Sequence, residues 1–233
     1  MPFWDHLEEL RWCLIKSILA IILGAAITYH YCDSVIYWLV APSQALELDL
    51  NLQVLKVTSM FTVKLSVALF GGIFIGLPVI LYQFWRFIAP AFEEKHGFYV
   101  FITILFATLC FILGISFAYL ILIPFSLNFF TSLTVETIQV DYNFTLEGYL
   151  MYILWLVFGC GLIFQLPVIS VFFTRIGILT PAFLREYRKF AIITALIIGA
   201  VLTPPDPLTQ ILIVIPLIVL YELSILFSKI LKP

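Results

Sequence analysis

The chain has 233 residues, 63% of them hydrophobic and 11% charged, with a mean hydropathy of +1.13. A water-soluble domain carries about 25% charged residues, so this sequence lacks the polar surface to cover a globule in water and reads as a membrane protein. The formal net charge of −2 excludes a basic field for nucleic acid.

The N-terminal stretch, Met1 to about residue 12, carries Asp5, Glu8 and Glu9 before any apolar run. A secretory leader begins basic, so no cleavable leader is expected. Phe3, Trp4, Leu7, Leu10 and Leu14 recur at helical spacing. Asp5 and Glu8 fit a D-x-x-E helix start. The stretch reads as an amphipathic lead-in anchored by Trp4 at the interface. Its carboxylates are either a solvated polar face or an acidic cluster offered to a ligand.

Six apolar segments follow, at about 13–31, 65–87, 97–123, 148–174, 190–203 and 208–227. A span needs about 20 apolar residues. The fifth has roughly 14, which reach about 21 Å as a helix, and Pro204-Pro205-Asp206-Pro207 turns it tightly into the sixth. This hairpin is expected to stop short of the outer surface or to thin the bilayer around it. The polar-apolar stretches 33–64 and 124–147 are expected to form an ordered cap. The whole reads as one all-α membrane domain.

Orientation follows from the basic residues. With the N-terminus in the cytoplasm, Arg11, Lys16, Arg86, Lys95, Arg175, Arg185, Arg188, Lys189, Lys229 and Lys232 fall inside. Only Lys56 and Lys64 fall outside. Both termini are therefore expected in the cytoplasm.

A second acidic cluster lies in Gln83-Phe84-Trp85-Arg86-Phe87-Ile88-Ala89-Pro90-Ala91-Phe92-Glu93-Glu94. Pro90 ends a helix. Glu93 and Glu94 then either favour the dipole of the next helix or make an acidic pair with the N-terminal carboxylates. Two such clusters on one face suit a cationic peptide, and Arg above Lys, because guanidinium and carboxylate pair through two parallel hydrogen bonds.

Within the apolar segments, Gln165 precedes Pro167, and Gln210 and Glu222 lie in the sixth. Polar groups in lipid face protein or a water-filled cavity. Gln165 either does so or satisfies a carbonyl freed by Pro167. Glu222 either snorkels or pairs with a cation. Prolines 78, 124, 167 and 216 are expected to kink or break their helices. Cys13, Cys32, Cys110 and Cys160 form no CxxC pair and read as small apolar residues. His6, His30 and His96 are scattered, with no metal-ligand spacing. Gly71, Gly72 and Gly76 read as helix-packing positions. No nucleophile–base set exists, so an enzyme is not expected. A small-solute or proton-coupled transporter is the alternative function, with thin support from a neutral Gln165 and an off-centre Glu222.

Several stretches together resemble the TatC family, the Sec-independent twin-arginine protein translocase subunit. They are His6-Leu7-Glu8-Glu9-Leu10-Arg11, the run from Pro78 to Pro90, Phe117-Ala118-Tyr119 with Pro124, and Phe164-Gln165-Leu166-Pro167-Val168. Leu202-Thr203-Pro204-Pro205-Asp206 with Gln210, and Pro216 with Leu220-Tyr221-Glu222, complete the series.

The resemblance implies six helices in a cupped, glove-like arrangement with short fifth and sixth helices. It implies recognition of Arg-Arg signal peptides of folded cargo by Glu8, Glu9, Arg11, Phe87, Pro90, Glu93 and Glu94. Gln165, Thr203, Asp206, Gln210 and Glu222 would serve as polar intramembrane or partner-subunit positions. Partners would be the single-span TatA and TatB, further copies of the chain and the lipid bilayer. No cofactor is implied, and export would draw on the proton-motive force. The location would be a bacterial cytoplasmic (inner) membrane rather than an organellar one.

Three departures stand out. His96 occupies the family's usual second acidic position, so Glu94 is the expected substitute. Cys13 stands where the motif has a second Arg. Thr58-Ser59-Met60-Phe61 is short against the family pattern.

Overall fold

The computed structural model describes residues 3–45, 51–88, 97–132, 143–175, 177, 179–202 and 207–230. It is helical but for two three-residue strands. Among the described residues, five helical stretches are long and apolar enough to cross a membrane: Trp4–His30, Ser59–Phe87, Phe101–Ser132, Leu146–Thr174 and Pro207–Lys229. The chain divides into two compact units. The first comprises Met1–Ala41, Leu50–Thr108 and Asn143–Leu154. The second comprises Pro42–Asp49, Leu109–Tyr142 and Trp155–Pro233.

In the first unit, α1 runs unbroken from Phe3 to His30. No Pro or Gly interrupts it before Gly24, so the lead-in and the first span are one helix about 42 Å long at about 1.5 Å per residue. The expected start at Asp5 is corrected. Phe3 and Trp4 are already helical, and Asp5 sits in the first turn, where its charge favours the helix dipole without capping.

α1 packs against α3 (Ser59–Ile88). The seam is built on small residues, because large ones would hold the backbones apart. A Cβ on Gly72 would lie 2.5 Å from the Ile21 carbonyl oxygen and 2.7 Å from the Ala25 nitrogen. Beside this seam, Leu14, Ile18 and Ile22 are exposed at one-turn spacing, a face suited to lipid.

α2 (Cys32–Ala45) and the parallel strands β1 (Asn51–Gln53) and β2 (Asn143–Thr145) occupy the stretches expected to be ordered. The register pairs Asn51 with Asn143, Leu52 with Phe144 and Gln53 with Thr145. Gln53 Nε2 donates to Asn143 Oδ1 at 3.1 Å, and the Ser59 hydroxyl donates to Glu147 Oε2 at 2.6 Å. Lys64 pairs with Asp33 at 2.8 Å.

The third apolar segment is α4 (Gly97–Phe117), a π-helical turn (Ala118–Leu122) and α5 (Ile123–Ser132) in one continuous stretch. The fourth is α6 (Leu146–Ile163), broken at Phe164-Gln165 and resumed as α7 (Leu166–Arg175). Pro167 is the second residue of α7, where a missing N–H costs nothing. Pro78 and Pro216 lie inside helices that continue past them.

In the second unit, α8 (Pro181–Glu186) leads into α9 (Arg188–Leu202), and α10 (Pro207–Ile230) packs against α7, α8 and α9. α9 has 15 residues, about 22 Å, and is as short as its sequence requires. The expectation of a short sixth helix is corrected. α10 has 24 residues, about 36 Å, because its apolar run at about 208–227 is by itself long enough to span, and Ser228 and Lys229 extend the helix further. The four cysteines are buried and unbridged.

Candidate functional site

The N-terminal end of α1 and the C-terminal end of α3 meet in the first unit. His6 stacks on Phe87 with ring centroids 4.3 Å apart and planes 17° from parallel. His6 Nδ1 lies 3.9 Å from Glu9 Oε2, one turn along the helix. The Glu9 side chain is 28% exposed, while Glu8 and Arg11 are more exposed. Of the two adjacent carboxylates, Glu9 is therefore the less exposed and the one close to His6. Trp4 is exposed beside this group.

Gln83 lies one turn before Phe87 on the same face of α3 and is buried. Its Oε1 has no hydrogen-bond partner among the described residues. A buried acceptor without a donor is costly. Sequence reading passed over His6 and Gln83. The signals that could have found them are the His6-x-x-Glu9 spacing and the four-residue step from Gln83 to Phe87.

Pro90, Glu93, Glu94 and His96 lie outside the described residues. So do Thr203 and Asp206.

The remaining polar positions belong to the second unit. Gln165 is buried at the break between α6 and α7. Its N–H donates to the Leu162 carbonyl at 3.0 Å, and its carbonyl accepts the Ile169 N–H at 2.9 Å, which starts α7. Phe117 and Phe164 lie 5.9 Å apart nearby.

Gln210 Nε2 donates to the Leu196 carbonyl at 2.9 Å, tying α10 to α9. Glu222 accepts from Arg188 Nη2 at 2.8 Å. Pairing with a cation, one of the two roles open to Glu222, is thus the one adopted. A hydroxyl pair, Thr174 and Ser228 at 2.8 Å, links α7 to α10 in a buried setting.

The arrangement offers an acidic, aromatic-flanked end on α1 and α3. The second unit holds polar groups mostly engaged in tying helices together. This is equipment for binding and packing.

The family model described as "Sec-independent protein translocase protein (TatC)" matches residues 5–216. The Sec-independent protein translocase protein TatC of Aquifex aeolicus (strain VF5) is 36% identical over 231 residues, covering 98% of this chain and 95% of that protein. The TatCy protein of Bacillus subtilis (strain 168) is 36% identical over 229 residues, covering 98% and 89%. A solved structure titled "Crystal Structure of Twin Arginine Translocase Receptor- TatC" superposes with a TM-score of 0.86 at 35% identity, covering 98% of this chain and all of that one. These relatives are named for protein transport rather than catalysis. The chain therefore belongs to the TatC family of Sec-independent protein translocase proteins, multi-pass membrane components of protein transport.

Proposed function

We propose that this chain is the core subunit of a twin-arginine translocation system and binds the Arg-Arg signal peptides of folded precursors. Six helices cross the bilayer in a cupped, glove-like arrangement, α9 being the short one, with both termini in the cytoplasm. The membrane is the cytoplasmic membrane of a bacterium. The observation that carries the reading is Glu9, partly buried next to the His6–Phe87 stack on a chain of this family.

A carboxylate fixed by its neighbours gives up little side-chain entropy when a guanidinium arrives, so the charge-assisted bond is kept almost whole. Glu9 takes one arginine. Glu94, with Glu93 beside it, takes the second. Glu8 and Arg11 set the charge balance of the rim. Phe87, with Pro90 following it in sequence, presents an apolar surface to the residues following the arginine pair, and the Gln83 amide oxygen accepts a peptide N–H.

Bound cargo is then passed to TatA and TatB. Their single helices dock along the second unit near Gln165, Thr203, Asp206, Gln210 and Glu222. Several copies of the chain assemble, and the proton-motive force drives transport.

Photocrosslinking tests this. A probe at residue 4 or 8 should capture an Arg-Arg signal peptide and leave its Lys-Lys form largely uncaptured. Equal capture of both forms, or none from the N-terminal helix, would overturn the reading.

A further inference from the structure

The elbow joining α8 to α9 is held rigidly from one side and bare on the other. Thr180 caps α8 by accepting the Phe183 N–H at 3.1 Å. Leu184 is buried, and its carbonyl accepts the Tyr221 hydroxyl of α10 at 2.6 Å. Arg188, the first residue of α9, is tied to Glu222 of α10.

The other side carries an aromatic ladder. Phe183 and Tyr187 stack at 4.3 Å, and Tyr187 and Phe190 follow at 5.6 Å, all three exposed. Lys189 Nζ lies 5.3 Å above the Phe190 ring. From Arg185 to Phe190 there are three cations against one carboxylate, Glu186. With Arg188 given to Glu222, Arg185 and Lys189 have no carboxylate partner among the described residues.

The depth of the elbow decides what it meets. Glu222 precedes Lys229 by seven residues of α10, about 10 Å along the helix. Lys229 is the last described charge of α10 and marks its polar end. The Arg188–Glu222 tie therefore sets the start of α9 about 10 Å inside that end. Exposed aromatic rings at this level stand at the boundary of headgroups and acyl chains, and the cations beside them reach up to the phosphates. A water-borne peptide would have to displace lipid to arrive.

We propose that the α8–α9 elbow binds the headgroup of an anionic phospholipid. Arg185 and Lys189 hold the phosphate, and the Phe183–Tyr187–Phe190 ladder lies against the glycerol and the upper acyl chain. The site is complete within one chain and needs no signal peptide. It makes negative lipid a positioning element for the α9–α10 hairpin.

Native mass spectrometry of the full chain, released from detergent with phosphatidylglycerol or with phosphatidylcholine of the same acyl chains, tests this. Phosphatidylglycerol should be retained in preference. The Arg185→Ala/Lys189→Ala variant should retain it about thirtyfold less, in keeping with the contribution of two basic side chains near a lipid surface. A Lys16→Ala/Lys56→Ala control should change retention less than twofold. Inorganic phosphate at millimolar concentration should not displace the lipid. Equal retention of the two lipids, equal losses in both double variants, or displacement by phosphate would each overturn the proposal. If the first double variant is not monodisperse, Arg185→Gln alone should lose retention about fivefold, and an unchanged value counts against the site.

Discussion

The imidazole of His6 lies flat on the phenyl ring of Phe87, joining the start of α1 to the end of α3, with Glu9 one turn away. An aromatic pair of this kind contributes about 0.5–1.5 kcal/mol beyond its buried area. Replacing His6 or Phe87 with Ala should therefore weaken signal-peptide binding about three- to tenfold by loosening Glu9. The double variant should lose little more than the worse single one, since both remove the same contact. Titration of the peptide against the four proteins of this cycle checks it, and fully additive losses would separate the stack from Glu9.

The α1–α3 seam makes a sharper prediction about stability. A methyl group on Gly72 would run into the Ile21 and Ala25 backbone, which cannot swing away. Gly72→Ala should cost about 1–3 kcal/mol. On Gly76 the nearest atoms would stand at 3.4 Å, an ordinary contact, so Gly76→Ala should be close to neutral. Thermal unfolding of both variants in one detergent distinguishes them.

Arg188 and Glu222 are each about half exposed, 49% and 47%, so solvent screens their attraction. Glu222→Gln should lower unfolding stability by about 1 kcal/mol or less. The exchanged pair Arg188→Glu/Glu222→Arg should recover most of it. Its effect on the depth of the elbow should be larger. A nitroxide beside Tyr187 should move toward water in the single variant and return in the exchanged one.

Cys32 lies in α2, buried to 2% exposure. Burial pushes its thiol up from the ordinary value and the nearby Asp33 adds to this, against the opposing influence of Lys64. The folded protein thus holds this proton to higher pH than the unfolded chain. Stability on this account is whole below the ordinary thiol range and falls as pH climbs through and above it. Maleimide labelling of Cys32 at pH 8 should be slow in the folded chain and fast in denaturant.

Much of this architecture is legible in the residues. Runs of about 20 apolar residues admit only helices in lipid, and Gln165-Leu166-Pro167 marks the break between α6 and α7. The rest depends on contacts distant in sequence. Residues 51–53 and 143–145 pair although neither segment alternates strongly. The partner of Glu222 is Arg188, a cation 34 residues away. The continuity of α1 needed only the observation that nothing between Phe3 and Leu23 stops a helix. The length of α10 was legible in its apolar run, about 208–227, and the expectation of a short sixth helix came from the family resemblance alone. At the site, Glu9 was visible as a charge, but its selection over Glu8 comes from packing.

The most direct measurement is the affinity of a labelled twin-arginine signal peptide, and of its Lys-Lys twin, for the full chain in lipid nanodiscs. Each charged hydrogen bond contributes about 1.5–3 kcal/mol. Wild type should accordingly prefer the arginine form by about tenfold or more, and Glu9→Gln/Glu93→Gln/Glu94→Gln should erase that preference. Indistinguishable affinities of the two peptides for wild type, or an undiminished preference in the triple variant, would contradict the account.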